Sequence, residues 1–261
     1  MRFSLLYKNN NISYLRLGTG KQLLFCFHGF GDSAVIWYNL EKKIGQQFTL
    51  IALDMPFHGK TKWQESKMQM ADFRAIIDQL LQIEKAKRFS LAGFSFGGRI
   101  VQQLLFCHAE QIDGLFLFSP DGMGTKGLTY ATLLPIFVRR AIGFLLRKSK
   151  KIIQLVNWLH QRKWIGQAVY WFFSQNINNP QRRERIFFYW LSLDDFEVKL
   201  SDFKKKLQET QVPTEIFLGK NDEITPLSIG TYLTADAPNV RLHILESGHQ
   251  VLPHLPDFDV V

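Results

Sequence analysis

Gly93-Phe94-Ser95-Phe96-Gly97-Gly98 places a serine between glycines two positions before and two positions after it. An apolar run, Phe89-Ser90-Leu91-Ala92, precedes it, and Arg99-Ile100-Val101-Gln102-Gln103-Leu104-Leu105 follows with helical character. A strand that turns sharply into a helix crowds its own backbone, and glycines at these spacings leave room for it. The turn lifts the Ser95 hydroxyl above a sheet, at a helix N-terminus whose partial positive charge favours an anion. The chemistry this suits is nucleophilic attack, given a base within reach.

Two later segments supply a base and an acid. Leu245-Glu246-Ser247-Gly248-His249-Gln250 follows a strand-like run, so His249 is expected at a sheet edge where it can reach Ser95. Leu218-Gly219-Lys220-Asn221-Asp222-Glu223-Ile224-Thr225-Pro226 ends another run. Pro226 can open a helix, and Asp222 lies in the turn between, where a carboxylate orients a histidine and stabilises its imidazolium. A fourth segment, Leu24-Phe25-Cys26-Phe27-His28-Gly29-Phe30-Gly31-Asp32-Ser33, ends a strand in a loop. The oxyanion of an acyl transfer needs two backbone N–H donors aimed at one point, and Phe96 and Phe30 are the candidates by position. His28 is read as a structural histidine bonded to nearby loop backbone.

The elements that must hold these residues are legible as alternating patterns. Two short runs near residues 3–8 and 12–17, separated by Asn9-Asn10-Asn11, predict a hairpin. Strand-like runs follow at 22–27, 48–53, 89–93, 113–119, 215–218 and 241–245, several of them apolar at nearly every position, as parallel strands buried on both faces must be. Helix-like stretches at 34–44, 70–84, 97–108 and 227–234 lie between them; Met70, Phe73, Ile76, Ile77, Leu80 and Leu81 share one helical face. The pattern predicts an α/β fold, a mostly parallel sheet flanked by helices. Alternation stops between about 122 and 200, which reads as helices only. Residues 1–121 and 201–261 are therefore expected to form the core and 122–200 an inserted helical lid.

Composition is that of an ordinary globular chain, with 46% hydrophobic and 21% charged residues over 261 positions. The net charge of +9 is uneven: residues 126–186 carry 12 Lys or Arg against the single acid Glu184. Such a cluster forms a solvated face, or attracts an acidic carrier protein or an anionic membrane surface. Nucleic acid is not expected, because no recognition motif accompanies the charge. Cys26 and Cys107 give neither a disulfide framework nor metal spacing, and both read as small buried hydrophobes. With no signal-peptide pattern and no membrane-length apolar run, a cytoplasmic location is expected, with no cofactor and no metal.

On these motifs, residues 22 to about 251 resemble the α/β-hydrolase superfamily, in its lid-bearing branch of small esterases, C–C hydrolases and related lyases. The order Ser95, Asp222, His249 is the one the family uses, and Gly219 to Pro226 is similar to its Gly-x-x-Asp-x-x-x-Pro pattern. Asp54-Met55-Pro56-Phe57-His58-Gly59-Lys60-Thr61 resembles the structural loop Asp-x-Pro-Gly-x-Gly-x-Ser, with Phe57 and Thr61 as departures, and Asp54 and His58 are given no catalytic role. The resemblance implies a serine hydrolase acting on an ester, thioester or C–C bond of a small substrate through an acyl-enzyme. A serine at the elbow sets aside the dehalogenase and epoxide-hydrolase branches.

Several alternatives stay open at this point. Asp121 competes with Asp222 as the acid, because some hydrolases place the acid after an earlier strand. Arg99 resembles the Gly-Gly-Arg of the menaquinone-pathway synthase branch, which eliminates pyruvate. There an arginine binds a substrate carboxylate; otherwise Arg99 is a helix-surface residue. Among the lid aromatics, Trp158 and Trp171 are candidates for lining a substrate pocket, or they pack lid helices together. A non-catalytic binding module on the same fold is a further reading. The family's last helix has no counterpart after His249, so the sheet edge there is expected to be exposed or covered by a partner.

Overall fold

The computed structural model describes residues 1–122, 151–167, 170, 174 and 180–258. These divide into two compact units, residues 1–64, 69–125 and 196–261 in the larger and 65–68 with 126–195 in the smaller.

The larger unit is built on eight strands: β1 (Arg2–Tyr7), β2 (Asn10–Leu17), β3 (Gln22–Phe27), β4 (Phe48–Leu53), β5 (Phe89–Phe94), β6 (Ile112–Phe118), β7 (Thr214–Gly219) and β8 (Val240–Leu245). They form one sheet in the order β1-β2-β4-β3-β5-β6-β7-β8. The hairpin and the β2–β4 pairing are antiparallel; every other pairing is parallel. Strands β4 and β5 are buried along their whole length, which accounts for their unbroken apolar sequences. Three helices flank them in chain order, α1 (Tyr38–Ile44), α2 (Met70–Glu84) and α3 (Phe96–His108). Helix α2 buries Phe73, Ile76, Ile77, Leu80 and Leu81, and its N-terminus is fixed by the Asp72 carboxylate accepting the Gln69 N–H at 3.0 Å. A cluster including Trp37, Phe48, Phe94, Phe116, Phe118 and Phe217 fills one face of the sheet.

Three details differ from the sequence expectation. The hairpin turns at Lys8-Asn9, with Tyr7 opposite Asn10, so β2 begins earlier than its apolar run. Asn10 is buried there because its side-chain oxygen accepts the Gln64 N–H at 2.7 Å. Cys26 is buried, but Cys107 is exposed. The helical period turns Phe106 and Cys107 outward while Leu104 and Leu105 face the core. Beyond β8 the described chain makes a short 3-10 turn, Leu252–His254, and then packs Phe258 against Phe116, Phe217 and His243. That segment covers part of the sheet surface, while Ile244 on β8 remains exposed.

In the smaller unit the described elements are the helices Lys151–Gln161 and Pro180–Ser192. The Ser192 hydroxyl accepts the Met68 N–H at 3.1 Å and donates to the Phe188 carbonyl at 2.8 Å, which ties residues 65–68 to the second helix. The apolar run at 133–138 and most of the run at 169–173 lie outside the described residues. No helix among the described residues is long and apolar enough to cross a membrane.

Leu91 sits at the centre of β5 with no exposed surface. Leu91→Ala is expected to lower unfolding free energy by about 3 kcal/mol, read as an earlier denaturation midpoint at unchanged m-value. A loss below about 1 kcal/mol would contradict the close-packed sheet centre.

Candidate active site

The β5–α3 junction holds Ser95 at φ 49° and ψ −117°, a conformation strained for a residue with a Cβ. Its N–H donates to the Phe118 carbonyl at 3.0 Å, and its own carbonyl accepts from Gly98 N–H at 2.8 Å and Asp121 N–H at 2.9 Å. The two flanking glycines are required by close approach. A Cβ on Gly93 would lie 2.6 Å from the Gly97 carbonyl oxygen, and one on Gly97 only 1.8 Å from the Phe27 carbonyl oxygen. Helix α3 can thus start directly against β3 and β5 with the serine at its N-terminus.

Asp222 and His249 come from loops after neighbouring strands, and the chain brings those loops together by backbone bonds. Lys220 N–H donates to Leu245 O at 2.8 Å and Asn221 N–H to Ser247 O at 3.0 Å. Gly219 admits the approach, since a Cβ there would meet Gly248 O at 2.0 Å. His249 Nδ1 then lies 2.9 Å from Asp222 Oδ2, and His249 Nε2 lies 2.9 Å from Ser95 Oγ. The Asp222 carboxylate can only accept, so Nδ1 carries the proton and Nε2 presents its lone pair to the serine hydroxyl. The other Asp222 oxygen accepts the N–H groups of Ile224 at 2.8 Å and Thr225 at 3.0 Å. Burial pushes the Asp222 carboxyl up, but the hydrogen bond and charge of His249 together with the two N–H donors outweigh it and hold the group below the usual carboxylate range.

Phe30 and Phe96 are placed by strand register. Strands β3 and β5 pair with Phe27 opposite Gly93, and each phenylalanine follows its paired position by three residues. The loop carrying Phe30 is tied down by the loop after β4. His28 Nδ1 donates to Gly29 O at 2.7 Å and its Nε2 accepts Met55 N–H at 3.1 Å. His58 Nδ1 donates to Pro56 O at 2.8 Å and its Nε2 accepts Gly31 N–H at 3.0 Å. Asp54 accepts the N–H groups of Ala34 at 2.8 Å and Lys60 at 3.0 Å and pairs with Arg2. Burial raises the Asp54 carboxyl, and these donors bring it below its ordinary range.

Asp32 lies in the same loop as Phe30, and nothing in its spacing marks it as functional. Its carboxylate lies over the loop backbone, with Oδ2 3.0 Å from where a Cβ on Gly29 would be. Burial raises it to about 6, although the charge of His249 pulls the other way.

Asp121, the rival acid, is engaged elsewhere. Arg99 is 2% exposed, and its Nε and Nη2 donate to the two Asp121 carboxylate oxygens at 3.1 and 3.3 Å. Arg99 therefore does not lie on the helix surface, because the turn after β6 closes over it. Trp158 lies on the helix Lys151–Gln161, 41% exposed, edge-on to Trp164 with the Arg162 guanidinium over its ring. Trp171 lies outside the described residues. Among the described residues no three His, Cys, Asp or Glu side chains come together as a metal site.

Comparison with known proteins gives the same fold. The family model of the alpha/beta hydrolase fold matches residues 22–253. A 2-hydroxy-6-oxononadienedioate/2-hydroxy-6-oxononatrienedioate hydrolase of Klebsiella pneumoniae is 26% identical, over 89% of this chain and 82% of that protein. The uncharacterized hydrolase YugF of Bacillus subtilis is 25% identical, over 91% of this chain and 87% of its own length. Among solved structures, a putative lipase of Acinetobacter baumannii superposes with a TM-score of 0.69 at 18% identity, covering 97% of this chain and 86% of the other. The match over nearly the whole length, on a mostly parallel eight-stranded sheet, makes this chain a hydrolase of the alpha/beta hydrolase fold family.

Proposed function

We propose that Ser95, His249 and Asp222 are the catalytic triad of this hydrolase and that it works through an acyl-enzyme. The observation that carries the reading is the unbroken hydrogen-bonded chain from Ser95 Oγ through His249 to Asp222, with 2.9 Å at each link. His249 Nε2 takes the hydroxyl proton as Ser95 Oγ attacks a carbonyl carbon. The N–H groups of Phe96 and Phe30 hold the oxyanion, a donor of this kind being worth about 3 kcal/mol of barrier. His249 returns the proton to the leaving group, and water repeats the sequence to release the acid.

An uncharged carbonyl compound, an ester or thioester, is the substrate class favoured here. The Klebsiella relative's name describes a dicarboxylate substrate. In this chain the loop of Phe30 carries Asp32, which is ionised above about pH 6 and repels a second negative charge. The pyruvate-eliminating alternative rested on Arg99 meeting a substrate carboxylate; the bidentate pairing with Asp121 favours hydrolysis over it. Residues 122–200 are proposed as a helical lid that sets acyl length, with its basic excess turned to solvent or to an anionic partner.

A panel of p-nitrophenyl and thioesters of increasing acyl length tests the reaction class. Wild type is expected to prefer uncharged short to medium chains, and Ser95→Ala to lower kcat by about 10⁵-fold with the fold intact. Equal turnover by Ser95→Ala, or pyruvate release in place of ester cleavage, would contradict the reading.

Asp32 adds a pH-dependent term to stability. Its folded value is raised, so between about pH 4 and 6 the folded chain keeps a proton that the unfolded chain has lost, and stability falls as pH rises through that window. Asp32→Asn is expected to melt about 3 °C or more above wild type at pH 8 and level with it at pH 4. An advantage at pH 4 that vanishes at pH 8 would reverse the sign and contradict the burial of this carboxylate.

A further inference from the structure

The turn after β6, Ser119–Gly122, touches both ends of the proposed triad, and the mechanism above makes no use of it. Ser119 and Gly122 both take positive φ, 39° and 89°. The turn begins with one backbone bond to β7, Ser119 N–H to the Phe217 carbonyl at 2.8 Å, and beyond it side chains add the anchors. Arg99 holds both oxygens of Asp121, and Gln102 Nε2 donates to the Asp121 carbonyl at 3.1 Å. Gly122 N–H donates to Asp121 Oδ1 at 2.6 Å. Thr225 Oγ1 lies 3.3 Å from the carbonyl oxygens of Ser119 and of Pro120. The packing leaves no slack: a Cβ on Gly122 would meet Arg99 Cγ at 2.8 Å, and one on Gly98 would meet Pro120 Cβ at 2.5 Å.

From this turn two bonds run into the site. Asp121 N–H donates to the Ser95 carbonyl at 2.9 Å. Thr225, whose hydroxyl reaches the turn, gives its own N–H to Asp222 Oδ1 at 3.0 Å. The position of the Ser95 carbonyl oxygen fixes ψ of that residue, and a strained φ/ψ pair persists only where surrounding bonds over-determine it.

We infer that Arg99 is a positioning residue for the nucleophile: by clamping Asp121 it locks the Ser119–Gly122 turn, which holds the strained Ser95 backbone and, through Thr225, the Asp222 carboxylate. Arg99 itself touches no reacting atom in this role. A buried ion pair is a weak source of stability; what this one supplies is the two-point geometry in which it holds Asp121. With the clamp removed, ψ of Ser95 relaxes and Oγ leaves the lone pair of His249. A displacement of that size lowers chemistry without weakening substrate binding.

The inference rests on the proposed triad, and its test separates the two. Arg99→Met/Asp121→Asn removes both charges of the clamp together, and the Asn oxygen can still accept from Gly122 N–H. Arg99→Lys keeps the charge but loses the fork. With thermal melts to confirm folding, the double variant is expected to lose about 100-fold in kcat on a short ester and in fluorophosphonate labelling rate, with KM within threefold of wild type. Arg99→Lys is expected to fall between the two. A crystal structure of the double variant should place Ser95 Oγ beyond hydrogen-bond reach of His249 Nε2, a readout that needs no turnover. A folded double variant with wild-type kcat and wild-type Ser95 geometry would overturn the inference. So would a rise in KM at unchanged kcat, which would make Arg99 a substrate-binding group. A wild type that neither cleaves esters nor is labelled defeats the triad reading instead; the crystallographic comparison then still decides whether the clamp sets the Ser95 backbone.

Discussion

The backbone of Ser95 is the constraint to which the rest of the site is referred. Its φ of 49° and ψ of −117° cost about 1–3 kcal/mol, and the chain holds them with three backbone hydrogen bonds and two glycine contacts too close for any side chain. The reward is directional. A serine in this conformation starts a helix and points away from the sheet, so its hydroxyl meets loops that rise from the same edge. Parallel strands make that meeting systematic, because every loop after a parallel strand emerges on one side.

Two different kinds of interaction support this geometry. Apolar burial along β3, β4, β5 and β6 fixes where the strand ends lie, and it tolerates changes of apolar side chain that keep volume. The loops beyond those ends are fixed by polar bonds, each specific to its partner: Asp54 with Ala34 and Lys60, His58 with Gly31, Asp222 with Ile224 and Thr225, and Arg99 with Asp121. Strength therefore comes mainly from the layer below and angular accuracy from the layer above. Asp32 stands apart from both. It is a carboxylate held partly out of water on the loop that carries Phe30, and burial raises it to about 6.

Much of this was legible in the sequence, and the limits follow from physics. Unbroken apolar runs gave β4 and β5 because both faces are covered, and the period of Met70 to Leu81 located α2 with its ends at 70 and 84. Ser95, Asp222 and His249 stood out because each follows a strand, so the geometry that joins them is set by topology. The burial of Arg99 was hidden, since its partner lies 22 residues away and the two meet only because Gly98 and Gly122 admit close packing. Asp32 left no trace because loop burial has no period. Cys107 was misread because an apolar run at a helix end can rotate out of the core within one residue.

If the site works as proposed, the Ser95 hydroxyl is activated by His249 alone. Intact-mass measurement with peptide mapping after exposure to a fluorophosphonate tests it most directly. A single adduct is expected, mapped to Ser95, that forms at least about 1,000-fold more slowly in His249→Ala. An adduct on another residue, or one forming at the same rate without the imidazole, would contradict it.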